Sequence, residues 1–253
     1  LLAVGTGDTG DGGDIVLVGG ASTANSKKGG KVTITGGIGA SPNTINGGDG
    51  GTVEIVGGEA RGSHNSDFGG DVVAIGGASY AGQGGGIRVS TGKSALTSSG
   101  DILMKSSNAG RAGVSGNIAL RTGTSSFGNT GYVSVATGDA TAGKAGYVSI
   151  YVGRGNVGDG GHIAVSAGKT TDQASGGYIS MTSGYGEKTS SGSFSLRTAN
   201  SGAAGVSGRL TLDSGTASYG TTGMIALGTG RSTSGHGGDI RLIVGTGDSG
   251  DGG

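Results

Sequence analysis

Three histidines (His64, His162, His236) and three glutamates (Glu54, Glu59, Glu187) are the chain's sparse candidates for acid–base chemistry. None of them forms a recognisable catalytic pair, and a hydrolase of glycans needs two neighbouring carboxylates. Glu54 and Asp213 project singly from their segments. Serine and threonine are abundant, but a hydroxyl becomes a nucleophile only beside an activating base. Glycine strings such as 82–86 carry neither the lysine nor the following helix of a phosphate loop. These residues imply a chain that is not an enzyme and needs no cofactor.

Hard-cation binding is the sharper chemical alternative. Asp8, Asp11 and Asp14 lie among glycines near one end, and Asp248 and Asp251 near the other. Calcium takes several oxygen ligands, and calcium β-rolls draw them from glycine–aspartate nonapeptides. The repeat here is longer than nine residues and most copies lack the aspartates. Asp-Gly is also ordinary turn chemistry, so solvated turns are the expectation. Ice binding through a threonine array fails as well: Thr33 and Thr35 are followed at the same places by Glu54 and Val56, then by Val73 and Ile75.

The elements that would hold any such residues are set by a repeat. The motif Gly-x-[Ile/Val/Leu]-x-[Leu/Val/Ile/Met]-x-[Thr/Ser/Gly]-Gly recurs in fifteen copies, some with departures such as Ala74, Val152 and Phe194. Its first apolar residue is Ile15, Val32, Val53, Val72, Ile87, Ile102, Ile118, Val133, Val148, Ile163, Ile179, Phe194, Leu210, Ile225 and Ile240. Its second is Leu17, Ile34, Ile55, Ala74, Val89, Met104, Leu120, Val135, Ile150, Val165, Met181, Leu196, Leu212, Leu227 and Leu242. From Val72 onward the spacing is 15 or 16 residues. Alternation of apolar residues between glycines reads as a short strand with one buried face. Connections of about ten residues disfavour tight hairpins.

These features predict an all-β fold: a parallel β-solenoid of about 15–16 residues per repeat, with one short strand per repeat and glycine-rich turns. The whole span 1–253 is then one continuous repeat domain, a segment of a longer solenoid or filament. Longer loop insertions fall at 36–51 and 57–70. The paired apolar residues are the expected core. Tyr132, Tyr147, His162 and Tyr178, each just before a first apolar position, are expected to stack as a ladder. Glycines five and eight residues after the one closing a strand (Gly123, Gly128 and Gly131, for example) imply positive φ or close backbone approach. Val16, Val18, Val56, Val73, Ile75 and Ile243 are apolar on the outward face and form a candidate assembly surface.

Composition agrees with a repeat rather than a conventional domain. Glycine supplies 65 of 253 residues, and apolar types only 32%. Glycine does not recur at every third position and Pro42 is the only proline, which excludes collagen. Zero net charge without basic runs argues against nucleic acid or anionic membrane as partner. No apolar run is long enough to span a bilayer. There are no cysteines, so no disulfide framework exists.

The motif Gly-x-Ile-x-Leu-x-Thr-Gly with Ser/Thr/Gly-rich connections resembles surface repeat proteins of stramenopiles, and is similar to repeats of some phage tail fibres. The resemblance spans the chain and implies an extracellular or virion-surface structural role. Two functions follow as expectations: a self-assembling extracellular fibre, or a binding fibre (tail fibre or adhesin) whose specificity lies in a tip elsewhere. The expected partner is the chain itself, end to end and laterally, with surface glycans as the alternative. Residues 5–13 and 245–253 differ at one position in nine, and the first methionine is Met104. The expectation is therefore a piece whose repeat continues on both sides.

Overall fold

The computed structural model describes residues 2–5, 7–43 and 45–248. The chain divides into two units, Leu1–Val133 and Ser134–Gly253. Among the described residues there is neither helix nor β-strand. The parallel β-solenoid is therefore not formed.

What the sequence builds instead is a periodic series of doubled-back connections. The backbone runs unbent through every apolar segment and bends within the connections, for example at 80–82, 95–97, 126–128 and 218–220. In seven connections the base is closed by a backbone hydrogen bond between two glycines. Gly30, Gly51, Gly70, Gly85, Gly100, Gly177 and Gly192 donate their N–H groups to the carbonyls of Gly20, Gly37, Gly58, Gly77, Gly92, Gly168 and Gly184, at 2.7–3.3 Å. The donor always stands two residues before a first apolar residue, and the acceptor three after a second one. Elsewhere among the described residues only two backbone bonds occur, Lys27 N–H to Ala24 O and Asp67 N–H to His64 O. Among the described residues no ladder joins one repeat to the next.

In five of the seven pinches (Gly30, Gly51, Gly70, Gly85 and Gly177) a Cβ on the donor glycine would come within 3.1 Å of the facing backbone, and this is the one glycine position present in all fifteen copies. At Gly85 a Cβ would lie 3.0 Å from Gly77 N, and at Gly51 2.9 Å from Gly37 N. Where the facing segment ends in a larger residue, that side chain takes up the space: Thr91 lies 3.5 Å from a Cβ at Gly100, and Thr137 3.4 Å from one at Gly146. The facing position is equally tight where it too is glycine. A Cβ on Gly36, Gly57 or Gly76 would collide with the carbonyl of Gly51, Gly70 or Gly85. The half-buried residues are accordingly small ones at or near pinches, such as Gly19, Gly36, Gly57, Gly76, Ser106 and Ser183.

The bend makes the second demand. Gly128, Gly158 and Gly220 have φ of 109°, 77° and 99°, and Gly205 lies at 157°. All four stand five residues before a first apolar residue, where a side chain would strain the backbone.

The expected core is absent. No described hydrophobic residue is buried, and the fifteen first-position side chains from Ile15 to Ile240 are 46–62% exposed. Ile118 and Ile150 are 58% and 77% exposed, and Leu212 is 60%. Nor is there a stacked ladder: Tyr132, Tyr147 and Tyr178 are nearly fully exposed, and His162 is exposed too. The physical reason is that two aliphatic residues in about fifteen bury too little to offset the entropy of ordering a glycine-rich rung, and the few backbone bonds that do form close connections within a repeat.

Candidate functional site

The apolar pairs are the most regular exposed feature of the chain. Within each repeat the first residue stands two positions beyond the pinch glycine, so the end of the preceding segment shades it. In thirteen of the fourteen repeats with a large second residue, the first is the less exposed; only Phe194, at 62% against 59% for Leu196, reverses this. Both nevertheless face solvent. Val16, Val18, Val56, Val73, Ile75 and Ile243, at the alternate positions of such segments, are 71–83% exposed. These six residues thus give four of the fifteen segments exposed apolar groups at the alternate positions as well.

The two insertions are side loops beyond a pinch. The bond Gly51–Gly37 closes a connection containing Asn43, whose Oδ1 accepts from Ile45 N–H at 2.8 Å and Asn46 N–H at 3.2 Å. Gly70–Gly58 closes the other, in which His64, Ser66 and Asp67 meet. Ser66 Oγ lies 2.6 Å from His64 Nδ1, a separation that nucleophile–base pairs also use. Here, however, the same Nδ1 accepts Ser66 N–H at 3.3 Å, and the Asp67 carboxylate accepts His64 N–H at 3.0 Å instead of orienting the ring. The group is an exposed turn tied to itself. Glu59 and Arg61 pair at 2.9 Å beside it, with both side chains open to solvent and correspondingly weak coupling.

Asp8, Asp11, Asp14 and Asp248 are exposed, and Asp251 lies outside the described residues. Among the described residues no three His, Asp or Glu side chains gather as a metal site would require. A hollow of about 280 Å³ is formed by the consecutive residues Arg197, Thr198, Ala199 and Asn200, so nothing converges on it from elsewhere. No helix among the described residues is long and apolar enough to cross a membrane.

Two features escape a reading based on alternation. Hydroxyl braces fix several bends: Ser79 Oγ accepts Gly82 N–H at 3.0 Å, and Ser94 Oγ accepts Thr97 N–H at 2.9 Å. Their signal is a serine just before the bend. Large apolar residues also stand at the bends themselves, Leu96 and Phe127 among them. No protein-family model matches the chain, and neither the curated proteins nor the solved structures contain a significant match.

Proposed function

We propose that this chain is a structural protein that associates with copies of itself into a fibre. The observation carrying the reading is the exposure of fifteen regularly spaced apolar pairs. A compact monomer of 23.8 kDa would expose about 9,900 Å² and its unfolded chain about 34,500 Å². This chain exposes 25838 Å². The apolar area left in water is favourable to bury, and another copy offers the same groups at the same spacing. Free backbone N–H and C=O groups in the bend-free segments add a second drive, because unpaired edges template pairing with another chain. A heterologous contact that does not close propagates into a filament.

On this reading the glycines shape the connections and the chain performs no catalysis. Resemblance of the motif to surface repeat proteins supports a location outside the cell or on a virion. Electron microscopy of the purified chain at rising concentration tests the proposal. Long uniform fibres are the expected result, and dispersed single chains at all concentrations would contradict it.

A further inference from the structure

The bends carry a set of large apolar residues that the apolar pairs do not account for. In the first unit Ile45, Phe68, Tyr80, Leu96, Val114 and Phe127 each stand at a bend or within two residues of one, and each is at least 84% exposed. They occupy six successive connections. In the second unit Val157, Tyr185, Val206 and Tyr219 repeat the arrangement. The segment residues are partly shaded by their own chain, whereas these are far more open. Several are held by the most constrained backbone in the molecule: Phe127, Val157 and Tyr219 directly precede Gly128, Gly158 and Gly220 at positive φ. Two of these apical settings recur along the chain, one of them with Phe and Tyr exchanged at the apex. Residues 123–128 read Gly-Thr-Ser-Ser-Phe-Gly and residues 215–220 Gly-Thr-Ala-Ser-Tyr-Gly, and Val114 and Val206 share the setting Ala-Gly-Val-Ser-Gly.

We infer that the bend apices are a lateral contact between copies of this chain, through which fibres bundle side by side. The inference rests on the proposed self-association and adds a second surface to it. Aliphatic and aromatic residues are mixed at the apices, so the surface selects apolar bulk rather than the flat ring face that stacks on a sugar. Six apices of one unit present on the order of 800 Å² of apolar surface, about what each partner of a stable interface contributes. A formal net charge of zero leaves no net repulsion between copies. Residues 125–129 and 217–221 carry no charge at all, so burying Phe127 and Tyr219 desolvates no ion of their own bends, whereas Phe68 adjoins Asp67 and Val157 lies two residues from Asp159. Among large surfaces, another copy of the chain is the one that shares their repeat spacing.

The test compares the natural chain with a variant carrying Tyr80→Ser, Leu96→Ser, Val114→Ser and Phe127→Ser. Fibres are counted in micrographs, and bundles are measured by low-speed and single fibres by high-speed pelleting. The variant is expected to form fibres normally while the low-speed pellet falls at least fivefold. A second variant, Leu96→Ile with Phe127→Tyr, should bundle like the natural chain. Undiminished bundling by the serine variant would overturn the inference and leave the fibre reading standing. A natural chain that forms no fibres would overturn both.

Discussion

Gly85 donates its backbone N–H to the carbonyl of Gly77 at 2.8 Å. The residues between them form a closed side loop, and no further backbone bond joins the apolar segments on either side. The same two positions also close the longer connections 37–51 and 58–70, so inserted residues lengthen the loop without disturbing its base.

Neighbouring glycines at one pinch should therefore respond differently to the same substitution. A Cβ on Gly76 would collide with the Gly85 carbonyl, whereas one on Gly77 meets nothing within 4 Å. Gly76→Ala should raise hydrogen exchange at the Gly85 amide about tenfold or more. Gly77→Ala should leave it within about threefold, since a tenfold change corresponds to ~1.4 kcal/mol. Equal effects would mean that the pinch is not the tight point.

Bend glycines offer a second matched pair. Gly220 has φ of 99° and Gly143, at the same place in its repeat, is not at positive φ. A Cβ added at either would meet nothing within 4 Å, so space is not the difference. Gly220→Ala should destabilise its bend by about 1–2 kcal/mol through backbone strain, and Gly143→Ala should not. Backbone chemical shifts and amide exchange of 217–222 would report the change.

Association should create order that the single chain lacks. Circular dichroism of dilute protein should show neither helix nor strand. Assembled protein should gain a strand signal, with an axial spacing near ~4.8 Å if unpaired segments bond edge to edge between copies. Ile118→Asn with Ile150→Asn, which places amides in the apolar surface, should raise the concentration needed for assembly at least tenfold.

Chelators should leave assembly unchanged, and salt should not weaken it. Association here is assigned to apolar groups and backbone, and sulfate strengthens apolar burial. Fibres that dissolve in chelator would instead assign a cation to aspartates such as Asp8, Asp11 and Asp248.

Much of the local architecture was legible in the sequence, and the pairing was not. The fixed spacing of Ile87, Ile102 and Ile118 located the bend-free segments. The glycine offsets announced backbone constraint, which the structure resolves into pinches such as Gly100 and bends such as Gly128. Alternation at Ile118 and Leu120 says which side chains share a face but not what covers that face. A neighbouring rung and a neighbouring molecule are equivalent to that pattern, so the β-solenoid was a choice the residues could not make. Tyr132 and Tyr147 suggested stacking by their shared place in the repeat, and shared place alone does not bring rings together. The dipeptides Gly36-Gly37, Gly57-Gly58 and Gly76-Gly77 held the missing information, because paired glycines facing a third allow the backbone to close on itself.

Sedimentation velocity over a wide concentration range tests self-association most directly. The exposed apolar pairs predict that a slow species gives way to large polymers above a threshold concentration, with surface-sensitive dyes losing access as it does so. A single 23.8 kDa species at every concentration, with its apolar surface still open to dye, would contradict it.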